Sequence, residues 1–403
     1  MKTLTNRAAS TVVLAGIVAA LHIGKIPPAI PVLREALGVT LVEAGFLLSM
    51  VQLAGMLLGV LVGVVADGMG LRRSMVLGQI ILCAASLAGM WARQPADLLV
   101  LRALEGLGFL LVVLPAPSLI RRLVSTRKLP QYLGLWGTYM PTGAALALLC
   151  GPMVMNAMGW QIWWGMLGGL SAVMAVGLVV TVAPDALRRS RDAGHVAVTD
   201  HPFAPWTHRL HITLTRSGPW LVAMAFSMYS SQWLAVVGFL PSVYAQSGVS
   251  GPKAGALTAL VCAVNVIGNI GAGILLHRGW CARRLLYIGF VCMAMTTFLA
   301  FSTLTADAPL LRYVAVILFS AIGGVVPGTL FSLAVRVAPN EHTVSTTVGW
   351  VQQCSATGQF LGPPLVAWVA AQVGGWQMTW MVTGMASLVG LWLASRVRVS
   401  APA

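Results

Sequence analysis

The sequence predicts an all-α integral membrane protein with twelve transmembrane helices in two six-helix, pseudo-symmetric bundles. Three observations predict it: twelve apolar segments long enough to cross a bilayer, a one-sided distribution of arginine and lysine between them, and residues that recur at a fixed offset in the two halves. Of the 403 residues, 58% are hydrophobic and 9% are charged, against about 25% charged in an ordinary soluble domain. That excludes a soluble protein. The 43 glycines and 21 prolines sit inside apolar runs, where glycine permits close helix packing and neighbouring helices re-satisfy a kinked backbone.

A bilayer core takes roughly 20 apolar residues per helix. The segments that qualify are 8–33, 44–66, 74–91, 98–120, 131–154, 160–182, 220–244, 254–276, 285–304, 310–335, 343–369 and 376–395. The run after Met1 to Ser10 is too long for a signal peptide and has no small-residue cleavage site before a polar domain, so it is read as the first span. With the N-terminus inside, 19 Lys and Arg fall in inner loops and tails, among them Arg72, Arg73, Arg121, Arg122, Arg283 and Arg284, and only Arg34, Arg93 and Lys253 fall outside. This positive-inside bias places both termini in the cytoplasm, the expected location being a plasma (inner) membrane. It also explains the net charge of +15 without nucleic acid. The six cysteines show no CxxC spacing and read as apolar packers, and no metal ligand set is expected.

The one long polar stretch divides six spans from six, giving expected domains of 1–183 and 218–403 joined by a cytoplasmic linker, 184–217. Pro31, Gly38, Gly45, Gly63, Arg73, Asp97 and Arg102 recur 210 positions later as Pro241, Gly248, Gly255, Gly273, Arg283, Asp307 and Arg312. Further on the offset becomes 215 or 216: Thr142, Gly143, Trp160 and Gln161 return as Thr357, Gly358, Trp376 and Gln377. Two like-oriented repeats predict a pseudo-two-fold axis along the membrane normal and a site at the interface between halves.

Between spans 2 and 3 the chain reads Gly63-Val-Val-Ala-Asp67-Gly68-Met69-Gly70-Leu71-Arg72-Arg73. Gly63 and Gly70 permit a tight reversal, Asp67 offers a negative charge to a helix N-terminus or to Arg73, and the arginines hold the loop inside. This resembles the signature hairpin of the major facilitator superfamily, G-x-x-x-D-x-x-G-x-(R/K)-(R/K), although Gly68 stands where that family usually has a basic residue. Arg102-Ala-Leu-Glu-Gly106-Leu-Gly108 in span 4 is similar to a second superfamily pattern, and Gly137-Thr-Tyr-Met-Pro141-Thr-Gly143 in span 5 to the kink of proton-coupled exporters. Pro27-Pro28-Ala-Ile-Pro31, Leu114-Pro115-Ala-Pro-Ser118 and Gly134-Leu135-Trp136 resemble the branch of cyanate permeases and nitroimidazole transporters. The resemblance implies the major facilitator fold, a secondary transporter of a small solute, and a central cavity lined by spans 1, 4, 7 and 10.

A charge at the bilayer centre costs about 2.5 to 3.5 kcal/mol on insertion scales. His22, Lys25, Arg102, Glu105 and Arg312 are the ionisable groups at that depth. His22 and Lys25 are three residues apart on one face of span 1, as are Arg102 and Glu105 on span 4. Glu105 is read in two ways, as a helix-internal partner of Arg102 or as the proton carrier. Lys25 has no acid on its own helix until Glu35, so it pairs across helices, binds an anion or loses its proton. Gln52, Trp136, Tyr139, Tyr229, Gln232, Trp233, Asn265, Asn269 and Gln353 are uncharged candidates for substrate contact, interhelical hydrogen bonding being the other reading.

No GxxxxGK[ST] loop or HExxH helix occurs, so neither ATP-driven pumping nor metalloenzyme chemistry is expected, and no cofactor. The expected protein is no enzyme but a monomer in the lipid bilayer that binds a small-molecule substrate and protons. Lys25 and Arg102, with Arg312 as a further candidate, against Glu105 give a net positive site, which favours a small anion, the alternative being proton-coupled efflux of a drug or metabolite.

Overall fold

The computed structural model describes residues 2–125, 132, 135–184, 206–340 and 343–397, with side chains for all of these except 2–6, 62–68, 206 and 345. Eleven of the described helices are long and apolar enough to cross a membrane. The remaining helix expected to span, Val344–Val373, has 30 residues and no charge. Gln352, Gln353, Gln359 and the Pro363-Pro364 pair make it less apolar than the others, and it packs along spans 2 and 7. Large apolar side chains such as Val180, Ile267, Met295, Leu304 and Leu310 stay exposed around the bundle. An aqueous protein rarely shows such a surface, whereas lipid covers it at no hydrophobic cost.

Several spans run past their expected ends. Span 1 begins in Lys2–Gly24 and continues in Ile26–Leu37, span 7 is Ser217–Gln246, and span 3 is shifted to Leu71–Gly89. Helical hydrogen bonding continues through polar residues at a membrane surface, where hydropathy has already fallen. The expected linker, 184–217, is described only in part. Residues 185–205 lie outside the described residues, but Trp206–Leu214 is a helix. Trp206, Leu210 and Leu214 are spaced one turn apart, and the indole of Trp220 donates to the last carbonyl, Leu214 O, at 2.9 Å.

Breaks in the spans follow from proline chemistry. Pro27 and Pro28 have no N–H for the carbonyls of Ile23 and Gly24, so span 1 interrupts at Lys25. Span 4 is Pro95–Val113 followed by Ala116–Leu123, and span 10 is Pro309–Gly323 followed by Val325–Arg336. Their breaks, at Leu114 and Gly324, are 210 positions apart, as are Pro117 and Pro327.

The repeat is visible in the contacts themselves. Gly143 lies against Ile17 O and Gly358 against Ser227 O, each pair with too little room for a Cβ. Gly45 lies against Pro363 O and Gly255 against Leu148 O, which joins span 2 to span 11 and span 8 to span 5 at the end of the bundle away from the termini. Arg72 donates to Val179 O at 2.7 Å near the end of span 6, and Arg283, one position out of register with Arg72 at the offset of 210, donates to Val397 O at 2.8 Å at the end of span 12. A guanidinium among the last carbonyls of a helix satisfies acceptors that have no partner of their own and complements the helix dipole. Gly70, which opens span 3, has a φ of 105° that only glycine adopts without strain.

Candidate functional site

The break in span 1 places Lys25 beside span 4, and helical spacing places Arg102 and Glu105 on the face of span 4 that meets it. All four predicted ionisable residues of these spans come together. The side chains of His22, Lys25, Arg102 and Glu105 are at most 1% exposed. Glu105 bridges two cations: Lys25 Nζ donates to Oε1 and Arg102 Nη1 to Oε2. His22 Nδ1 lies 3.5 Å from the same Oε1, and its Nε2 shares a 2.9 Å hydrogen bond with Ser171 Oγ of span 6.

The shell around the cluster satisfies most of its remaining donors. Lys25 Nζ donates to Ser86 Oγ of span 3 at 3.1 Å and sits 4.7 Å from the centroid of the Trp164 ring of span 6. Ser86 Oγ in turn donates a hydrogen bond to Trp164 O at 2.9 Å. Arg102 donates from Nη1 to His22 O at 2.7 Å and from Nε to Leu47 O of span 2 at 3.1 Å. The first of these carbonyls lies in the last turn of the helix before the span 1 break, where a cation is favoured. Arg102 Nη2 and His22 Nδ1 are buried without a hydrogen-bond partner. Counting His22 as neutral, two cations face one carboxylate.

The cluster therefore lies among spans 1, 3, 4 and 6. A cavity of about 210 Å³ lies elsewhere, between the halves, lined by Pro28, Pro31 and Glu35 of span 1, Pro152 and Asn156 of span 5, Pro241 of span 7 and Gly255 of span 8. None of the predicted site residues lines it. Ser86, Trp164 and Ser171 were missed by the sequence reading because single serines and tryptophans in apolar spans carry no signal alone. The repeat holds one: Trp164 and Ser171 recur as Trp380 and Ser387 at offset 216.

The uncharged candidates divide into four groups. Asn265 Nδ2 donates to Tyr229 Oη at 3.0 Å and to Ser320 O at 2.9 Å, while Asn269 Nδ2 donates to Asn265 Oδ1 at 2.9 Å. Trp233 Nε1 reaches Ser320 Oγ at 3.2 Å, so Tyr229, Trp233, Asn265 and Asn269 form one neutral network across spans 7, 8 and 10. Gln52 and Gln353 instead cross between halves. Gln52 donates to Gln359 Oε1 at 3.1 Å, and Gln353 grips one turn of span 2, donating to Met56 O at 2.9 Å and accepting from Val60 N at 3.2 Å. Gln232 accepts from Ser387 Oγ at 3.0 Å, the counterpart of the His22 to Ser171 contact. Trp136 stacks on Tyr139 with centroids 4.4 Å apart, and its ring fills the space over Gly16 of span 1.

Of the hairpin motif, Gly63 and Asp67 lie outside the residues with described side chains, while Gly70 and Arg72 act as given above. Arg312 donates to Ser302 O at 2.6 Å and to Thr305 Oγ1 at 3.3 Å, which ties span 10 to the loop before it.

Removing one member of a buried, hydrogen-bonded charge set leaves the others unpaired, at a cost of about 3–5 kcal/mol. Arg102→Met is therefore expected to lower the unfolding midpoint in detergent strongly, since His22 O, Leu47 O and Glu105 each lose a donor. A melting curve within about 2 °C of the unaltered protein, the shift expected for about 1 kcal/mol at this size or less, would contradict the bonding described.

A family model, Major Facilitator Superfamily, matches residues 12–352. Among curated proteins, the chain is 24% identical over 374 residues to the 2-nitroimidazole transporter of Escherichia coli (strain K12), covering 90% of this chain and 88% of that one. It is 24% identical over 330 residues to the cyanate transport protein CynX of the same organism, covering 80% and 77%. Its fold is similar to a bacterial homolog of the human lysosomal transporter Spinster in an inward-facing, unoccupied conformation, with a TM-score of 0.78 at 15% identity over 100% of both chains. It is also similar to a D-xylose–proton symporter, with a TM-score of 0.76 at 15% identity over 98% and 99% of the two chains. With the motif hairpin, the repeated contacts and a family match over most of its length, the chain belongs to the major facilitator superfamily, and it is a membrane transporter.

Proposed function

We propose that this transporter moves a small anion across the membrane by alternating access, coupled to protons. The observation that carries the reading is the buried cluster, in which Lys25 and Arg102 face the single carboxylate of Glu105. An excess cation in a low-dielectric interior is costly, and a bound anion relieves that cost. Both termini are assigned to the cytoplasm by the positive-inside rule, and the working unit is a monomer in an inner membrane. Residues 1–183 and 218–403 form the two moving bodies, joined by 184–217. Gln52 and Gln353 hold the seam between them, and Asp67, Arg72 and Arg73 belong to the hairpin that gates it. Glu105 carries the coupling proton, because it is the carboxylate at membrane depth. The names of the two curated relatives support a small anion, cyanate, and a small heteroaromatic.

Purified protein in proteoliposomes is expected to show saturable uptake of labelled cyanate or of a small monocarboxylate that rises with an imposed pH difference. The Trp136 and Tyr139 stack favours a second reading, efflux of neutral heteroaromatic compounds. Saturable, pH-driven flux of 2-nitroimidazole with no flux of either anion would select that reading over the first.

A further inference from the structure

The two halves of the chain perform the same packing with different residues at one place. Offset by 210, His22 corresponds to Gln232, Lys25 to Ala235, Ser86 to Thr296, Arg102 to Arg312 and Glu105 to Ala315. The correspondence holds in space as well as in sequence, since the His22 to Ser171 and Gln232 to Ser387 hydrogen bonds join equivalent spans at equivalent positions. Ala235 is 0% exposed and Ala315 2%. The same architecture thus closes without an ion pair when two alanines fill these places. Burying a Lys–Glu pair where apolar residues suffice brings little net stability, so the fold does not need this pair.

Arg102 differs from its twin in the same sense. Arg312 spends its donors on Ser302 O and Thr305 Oγ1. Arg102 is 1% exposed and keeps Nη2 without a partner. What Lys25 and Arg102 share is a planar group offering one oxygen to each, and Glu105 supplies it from within the chain.

We propose that Lys25 and Arg102 form an oxyanion site in which the Glu105 carboxylate is the resident internal ligand, and that the transported solute replaces it with its own planar two-oxygen anionic group, a carboxylate being the fitting class. The solute's role in transport rests on the anion reading above, while occupancy of the site does not. Protonation of Glu105 weakens its hold on both cations and opens the site. The incoming anion then takes the bonds to Lys25 Nζ and Arg102, and the unpartnered Nη2 gives a third donor for it.

The test is chemical rescue in purified, detergent-solubilised full-length protein, using formate as the probe. Glu105→Ala removes the internal ligand and leaves a gap between the two cations. Its unfolding midpoint is expected to rise by several degrees with sodium formate, saturating with concentration, because a ligand that binds only the folded state stabilises it. Sodium chloride at equal ionic strength is expected to give a smaller rise, and the unaltered protein, whose own carboxylate competes for the two cations, a response that needs a higher formate concentration. The double variant Lys25→Ala with Glu105→Ala takes the two alanines of the second half and removes one charge of each sign, and it is expected to lose the formate effect. No difference between formate and chloride on Glu105→Ala, or equal rescue of the double variant, would overturn the proposal. Should Glu105→Ala not fold, Glu105→Gln keeps the shape without the charge, and calorimetry is expected to show formate binding to it that is tighter than binding to the unaltered protein. Absence of that difference would also overturn it. Failure of every anion in the flux assay would remove the proposed function and leave this binding result intact.

Discussion

Glu105→Gln is expected to abolish proton-driven accumulation while preserving exchange of labelled for unlabelled solute. For one coupled proton, a difference of one pH unit supports about tenfold accumulation, since about 1.36 kcal/mol is a factor of ten. With the amide in place that ratio is expected to fall to about 1 under the same pH difference. Exchange requires only that the loaded carrier rock between its two orientations, and glutamine resembles the protonated acid that permits loading. The geometry makes the variant informative, because Oε1 and Oε2 each hold a different cation and no other carboxylate is described in the cluster. Accumulation ratios and counterflow in the same vesicles separate the two effects. Undiminished accumulation by Glu105→Gln would make Glu105 a structural partner of Arg102 and place coupling elsewhere.

A valine at Gly45 or Gly255 is expected to slow transport by about 5- to 150-fold with the fold retained. A Cβ at Gly45 would stand 2.8 Å from Pro364 Cα and 3.0 Å from Pro363 O, and one at Gly255 would meet Leu148 O and stand 2.7 Å from Pro152 Cγ. Most of these neighbours are backbone atoms on the opposite half, which cannot turn aside as a flexible side chain does. Overpacking of this kind costs about 1–3 kcal/mol, and that cost falls on the arrangement in which the halves touch at the end away from the termini. A shift of 1–3 kcal/mol in a two-state equilibrium is about 5- to 150-fold in population. Initial flux rates, together with thiol labelling of an Asn156→Cys reporter beside Gly251, measure both consequences. Unchanged flux and labelling would show that this seam does not close during transport.

Apolar segment length, charge placement and the offset of 210 already made the all-helical membrane fold and the family motifs legible, because membrane insertion reads local apolarity and short loops. The same logic brought out His22, Lys25, Arg102 and Glu105, since a charge in an apolar run is conspicuous wherever the helix ends up. Helix ends were less legible. Hydropathy stops at the membrane surface, while hydrogen bonding carries Ser217–Gln246 and Val344–Val373 beyond it, and a short helix between spans such as Trp206–Leu214 leaves no hydropathy signal.

Which partner each polar group takes was decided by tertiary structure alone. Periodicity marks the face of a helix but not the helix it will meet, so Gln232, Gln353 and Asn265 looked alike in sequence. Packing sends the first to Ser387 in its own half, the second to the backbone of span 2 in the other half, and the third to Tyr229. Only in three dimensions does Lys25 meet Glu105, 80 residues away, beneath Ser86 and Trp164. The sequence alone determined that these charges enter the membrane, because their cost there is set by the residue and its depth. The folded structure decided that they meet, because only the packing of spans 1, 3, 4 and 6 brings donors and acceptor within hydrogen-bonding distance away from water.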